Sequence, residues 1–144
     1  MTSDDLSLFI AAQSPVWNQV TSELAAGRKQ SHWMWFVFPQ IEGLGHSAMA
    51  RRYALGNLDH ARRYLADPAL GERLREATRL VLRHAGAPIR HILGTPDDLK
   101  FRSSMTLFEQ AATEQQDRDL FGKALAAFHA GEPDPKTLEL LRQR

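Results

Sequence analysis

Three groups of residues in this chain have the types and spacing to do chemistry. Lys29 and His32 stand before six consecutive apolar residues, Trp33 to Phe38, and Gln40 stands after them, behind Pro39. The lysine supplies a fixed charge, and the glutamine amide can both donate and accept. The imidazole titrates near neutrality, which makes His32 the natural proton carrier and the candidate catalytic residue. Next comes the loop Glu42-Gly43-Leu44-Gly45-His46-Ser47. A glycine loop that runs into a helix can turn backbone N–H groups toward a phosphate or carboxylate, and Arg51 and Arg52 follow it with positive charge. The third group is Asp97, Lys100 and Ser104, whose spacings of three and four put them on one side of a helix. The expected site has Trp33 and Trp35 as its floor. Its rim is Lys29, His32, Gln40, Gly43, Gly45, Ser47, Asp97, Lys100 and Ser104, a constellation suited to a small polar or anionic ligand. A plainer reading stands beside each part: the aromatic run as core, the glycine loop as a tight connection, Asp97–Lys100 as a surface ion pair.

The elements that must position these groups read as helices. Asp5 to Gln13 can form a short one that buries Leu6, Phe9 and Ile10. Ser14-Pro15 then reads as an N-cap with proline at the first helical position, and Val16, Val20 and Leu24 recur every four residues until Gly27. The run Trp33–Phe38 has no partner strand of equal strength, so a short buried helix ended by Pro39 is expected. Ser47 is expected to cap a helix through Leu55, and Asp59–Ala66 to form another. Asp67-Pro68 opens the clearest helix, with Leu70, Leu74, Ala77 and Val81 on one face, ending near Gly86. Thr95 is expected to cap a helix whose inner face is Phe101, Met105, Phe108 and Ala112, with Asp98 in the capping-box position. Asp117 is expected to cap the helix carrying Phe121, Leu125 and Phe128, and Asp134-Pro135 to open the last. The adjacent Ser103, Ser104 and Thr106 are weak helix formers in mid-helix. Such a conflict marks either a site or a close helix crossing.

Composition narrows the classes. The 144 residues are 43% hydrophobic and 24% charged, which suits one globular domain over residues 1–144 with a real core. The net charge of +1 and the scattered arginine pairs give no field for nucleic acid or an anionic membrane. No cysteine is present, so thiol nucleophiles and thiolate metal sites are excluded. The six histidines form no His-x-x-x-His pair, so no metal and no cofactor are expected. The acidic, polar start is unlike a secretory leader, and no apolar run approaches the ~20 residues that cross a bilayer. A cytoplasmic protein is expected, with its oligomeric state open. Lysine precedes serine here, the reverse of Ser-x-x-Lys, and no Gly-x-Ser-x-Gly elbow exists, so a serine hydrolase is not read.

Gly27-Arg28-Lys29…His32-Trp33-Met34-Trp35-Phe36…Pro39-Gln40 with Gly43-Leu44-Gly45-His46-Ser47 resembles the first signature of the bacterial family known as domain of unknown function 1810. The run Gly94-Thr95-Pro96-Asp97-Asp98-Leu99-Lys100-Phe101-Arg102-Ser103-Ser104-Met105-Thr106-Leu107-Phe108 resembles its second block, and Gly131…Asp134…Thr137-Leu138 its tail. The resemblance covers nearly the whole chain and implies a compact, mostly helical domain without an established activity. A fainter similarity, a lysine followed by Met-x-x-Phe-like spacing, is to helical N-glycosidases acting on ADP-ribose-linked and riboflavin-precursor substrates. That family's late Asp–Trp-Gly-x-Gly and Gly-x-Asn-x-Leu-Gly blocks are missing, and none of its catalytic residues carries over. The chain therefore reads as an all-α, single-domain orthogonal bundle of about seven to eight helices. Its expected function is to bind a small polar or anionic ligand; the alternatives are an N-glycosidase-like enzyme and a non-catalytic interaction module. The two signature blocks should meet, with His32 on the order of 10 Å from Lys100 or Ser104 and lining the same cavity.

Overall fold

Side-chain caps set the helix starts where the sequence has a short polar residue before a proline or an apolar stripe. In the computed structural model, which describes residues 6–144, the helices are α1 (Ser7–Gln13), α2 (Trp17–Ala25), α3 (Met34–Val37), α4 (Ala48–Arg52) and α5 (Leu58–Ala66). They continue with α6 (Pro68–Leu82), α7 (Ile89–Leu93), α8 (Asp97–Ala111), α9 (Gln115–His129) and α10 (Pro135–Arg142). The short pieces α3, α4 and α7 carry the number past the seven to eight expected. Asp5, expected to open the first helix, lies outside the described residues.

Ser47 accepts from the Ala50 N–H at 3.1 Å, and Asn57 from the His60 N–H at 2.8 Å. Asp67 accepts from the N–H groups of Ala69 and Leu70, and Asp134 from that of Thr137. Each such cap contributes about 1 kcal/mol. Three expected caps are corrected. Ser14 sits inside a 3-10 turn, Ser14–Val16, that joins α1 to α2, and its hydroxyl accepts from Arg73. Thr95 lies outside α8, whose first turn carries Asp97 and Asp98 with no side-chain cap. Asp117 lies inside α9, drawn to the Arg75 guanidinium at 2.7 and 3.0 Å. At Asp117 a longer-range partner overrides the local capping pattern.

The architecture is all-α, with α8 packed against α5, α7, α9 and α10. Phe38 meets Phe101 edge-on at 5.1 Å, and Phe108 lies between Tyr64 and Phe121. The aromatic block and the inner face of α8 thus share one core. A buried polar knot joins three helices: the Gln13 amide donates to the Phe36 carbonyl at 2.6 Å and to the Tyr64 hydroxyl at 2.9 Å. The only β-pairing among the described residues is an isolated parallel bridge, Ile41–Leu55. There the Glu42 N–H donates to the Leu55 carbonyl and the Leu55 N–H to the Gln40 carbonyl, which ties together the two ends of the segment 41–55.

Gly71 is where α6 passes against the end of α5. A Cβ there would collide with the carbonyl oxygen of Leu65. Gly71→Ala should therefore lower stability by about 1–3 kcal/mol despite its better helix propensity. Chemical denaturation checks this, and an unchanged or raised midpoint would show that the two helices can separate freely.

Candidate functional site

The tied segment 41–55, α3 and the first turns of α8 enclose a cavity of about 260 Å³. Its apolar surface comes from Met34, Trp35, Phe38, Ile41 and Tyr53. Trp35 is half-buried whereas its neighbours Met34, Phe36 and Val37 are buried, so its indole is the open part of the floor. The polar groups at the wall are Gln40, Glu42, His46, Ser47, Arg51 and Lys100. Glu42 is the one acid among them, and it is turned to Arg144, which donates to its carbonyl at 2.6 Å and lies 3.8 Å from its carboxylate. Gln40 keeps Oε1 buried and without a hydrogen-bond partner. The Lys100 ammonium stands 5.8 Å from the centre of the Trp35 ring, and the exposed Arg51 guanidinium makes no ion pair among the described residues. Donors and positive charge dominate an apolar, aromatic interior.

Lys100 is joined to the first signature block through Asp97. One carboxylate oxygen of Asp97 is 3.0 Å from the Lys29 ammonium, the other 3.7 Å from that of Lys100. Lys29 also lies over Trp33, 5.1 Å from its ring centre. The two blocks, some seventy residues apart, therefore meet through Asp97.

The segment carrying Lys29 is set by a carboxylate the sequence reading did not single out. Gly27, at φ +76°, ends α2 against the His84 ring, where a Cβ would not fit without displacement. The chain then wraps round Glu23. Its carboxylate accepts from the N–H groups of Gln30 and Ser31 at 2.8 and 3.0 Å, the Ser31 hydroxyl at 2.6 Å, the Trp33 indole at 2.9 Å and the Gln19 amide at 3.1 Å. Burial pushes the Glu23 carboxyl up, but the hydrogen bonds from Ser31, Gln30 and Trp33 outweigh it and hold its pKa at about 2. The signal was present in the sequence: Glu23 lies three after Val20 and beside Leu24, a charge on the apolar stripe of α2.

Of the ten expected site residues, Gln40, Gly43, Gly45, Ser47 and Lys100 line the cavity, and Lys29 and Asp97 stand behind Lys100. Three are corrected. Trp33 is buried core, 1% exposed, and its indole serves Glu23 rather than the cavity floor. His32 is exposed and does not line the cavity: Ser31 and Trp33 both turn to Glu23, and the residue between them faces solvent. This removes the expected proton carrier from the site. Ser104 is fully buried in α8 with its hydroxyl unpartnered, away from the cavity lining.

The polar run around Ser104 has a different cause from the one a site would give. Ser103 donates to the Asp134 carboxylate at 3.2 Å, and Thr106 accepts from the Asp134 N–H at 2.8 Å. These weak helix formers dock the start of α10. The glycine loop does not act as a helix-end anion site either, because α4 is only five residues long and sums few peptide dipoles. Tyr53 was not singled out, and His46 entered only as part of the glycine loop. Their place at the wall follows from the Ile41–Leu55 bridge, which no local pattern announces.

Among the described residues no group of three or more His, Cys, Asp or Glu could hold a metal ion. No helix among them is long and apolar enough to cross a membrane. The comparisons with known proteins agree with the fold and name no activity. No curated protein matches. The conserved hypothetical protein Rv1873 from Mycobacterium tuberculosis, known from a crystal structure, is 49% identical over 96% of each chain, with a TM-score of 0.91. Residues 3–141 match the family described as protein of unknown function (DUF1810), and the chain belongs to that family.

Proposed function

We propose that the protein binds a small anion with a flat apolar body in the cavity between α3, the 41–55 segment and α8. The observation that carries this reading is the polarity of the wall: Lys100, Arg51 and Gln40 line a cavity with an aromatic floor, and the one acid of that wall is engaged by Arg144. Donors and cations in a partly desolvated cavity favour a ligand that brings acceptor oxygens and negative charge. Trp35 offers an open indole on which a planar group can stack. Binding rather than acid–base chemistry is the reading, since His46, the histidine in the wall, has no hydrogen-bonded partner among the described residues to orient its ring. A protein-docking role has less support: the large apolar side chains left exposed among the described residues are Met49 and Leu99, and two side chains fall short of a patch of several hundred Å².

Titration with benzoate, inorganic phosphate and a mononucleotide, followed by ¹H–¹⁵N spectra, tests this. The expected result is perturbation centred on the Trp35 indole and Gln40 amide. Arg51→Met and Lys100→Met should each weaken binding by about tenfold or more, the loss of one charge-assisted hydrogen bond. Perturbations elsewhere on the surface, or affinities unchanged in both variants, would reject the assignment.

A further inference from the structure

We propose that Lys29, which does not line the cavity, sets the cavity's affinity for anions by holding the Asp97 carboxylate back from Lys100. The inference rests on the reading that the cavity binds an anion through Lys100. Its basis is an uneven division of one carboxylate between two ammonium groups. Lys29 lies 3.0 Å from one oxygen of Asp97 and its side chain is only 9% exposed; Lys100 lies 3.7 Å from the other and is 30% exposed. The closer, drier partner is the one outside the cavity.

Lys29 is also the more firmly held. Its N–H donates to the Ile92 carbonyl at 2.7 Å, its ammonium lies over Trp33, and the next two residues are pinned by Glu23. Lys100 has only the long contact to Asp97 and the face of Trp35. The cluster of two ammonium groups and one carboxylate carries one net positive charge. The part of that charge left uncompensated falls on Lys100, on the cavity side.

Coulombic attraction at these distances changes steeply when a partner is removed, because the site is only partly screened by water. Without Lys29, Asp97 and Lys100 become a one-to-one pair. The carboxylate then draws the ammonium toward itself, and an entering anion meets a neutral couple next to a bare carboxylate oxygen. Without Asp97, Lys100 is freed and the field at the cavity rises. Lys29 and Asp97 are therefore positioning residues that act through Lys100.

The test is calorimetric titration with benzoate of the wild type, Lys29→Met, Asp97→Asn, the double variant Lys29→Met/Asp97→Asn, and Lys100→Met as reference. Lys29→Met should weaken benzoate binding by about tenfold, Asp97→Asn should tighten it by about threefold, and the double variant should return to wild-type affinity or better. Rescue by the second substitution separates this role from a structural one, since a damaged cavity would not be repaired by removing Asp97. If Lys29→Met fails to fold by circular dichroism, Asp97→Asn alone decides, and unchanged or weaker binding overturns the proposal. If Lys100→Met abolishes binding while Lys29→Met leaves it unchanged, this inference fails and the anion-binding reading stands. If Lys100→Met leaves benzoate affinity unchanged, this inference fails, and the anion-binding reading fails with it when Arg51→Met leaves the affinity unchanged too; if the wild type does not bind benzoate, both fail.

Discussion

Replacing Trp33 with alanine is expected to cost about 3–5 kcal/mol of stability at neutral pH, as measured by chemical denaturation. The ring is 1% exposed and packs against Phe38, with centroids 6.3 Å apart. Its indole N–H donates to Glu23, and the Lys29 ammonium lies over its face. Truncation opens a void that the neighbouring aromatic rings cannot collapse into without leaving their edge-on packing. It also strips one donor from a carboxylate that is held ionised by its donors. The matched control is Trp35→Ala, two residues on, where the ring is half-buried and faces the cavity. That change should cost roughly half as much, because less apolar surface returns to water. A loss below about 1 kcal/mol at Trp33 would show that the run Trp33–Phe38 is not part of the core.

The contrast between these two tryptophans marks the limit of what the sequence conveys. Six apolar residues in a row announce burial, and Pro39 announces the end of the segment, but neither says which ring faces the core and which the cavity. Elements with their own stop and start signals were legible. Asp67-Pro68 opens α6 and Asp134-Pro135 opens α10 because a carboxylate cap and a proline act within four residues of each other. Helix α7, five residues between Pro88 and Gly94, has too short a period to announce itself. Thr95 and Asp117 carried capping signals that the chain does not use, Asp117 because Arg75, forty-two residues away, competes for the same carboxylate.

The site divides in the same way. Gln40 and Lys100 were readable as cavity residues because each flanks an apolar anchor in its own segment, and Gly43, Gly45 and Ser47 because a glycine loop runs into a helix there. His32 was not, because its orientation is decided by what Ser31 and Trp33 do on either side of it. The serines and threonine of α8 did conflict with helix propensity as expected of a functional feature. Ser103 and Thr106 resolve it by binding the Asp134 end of α10, while Ser104 stays without a hydrogen-bond partner. The part least visible in the sequence is the 41–55 wall, which depends on two backbone hydrogen bonds between residues thirteen and fifteen positions apart.

Glu23 should make the fold acid-sensitive in a defined window. Its pKa is held at about 2 in the folded protein against an ordinary value of 4.5. A group whose folded value is depressed contributes stability that is fully present above the ordinary value and is lost as pH falls through the folded one. The window therefore runs from about 4.5 down to about 2. Glu23→Gln keeps the shape, but one carboxylate oxygen already accepts from the Gln30 and Ser31 N–H groups and the Trp33 indole, so the amide oxygen takes that place and the NH₂ group replaces the acceptor that faces the Ser31 hydroxyl and the Gln19 amide. At neutral pH this should cost about 3 kcal/mol, since the hydrogen bonds lose the negative charge that strengthens them and one acceptor is replaced by a donor. As the pH is lowered through the window the wild type protonates and loses the same interaction, so the stability difference between the two proteins should shrink steadily. Urea titrations at several pH values measure it, and a difference that stays constant down to the bottom of the window would show that Glu23 is not held ionised by its donors. The effect would reach the candidate site as well. Gln30 and Ser31 are the residues that fix the chain after Lys29, so Glu23→Gln should also loosen Lys29 from Asp97 and weaken benzoate binding at neutral pH, where the ligand stays ionised.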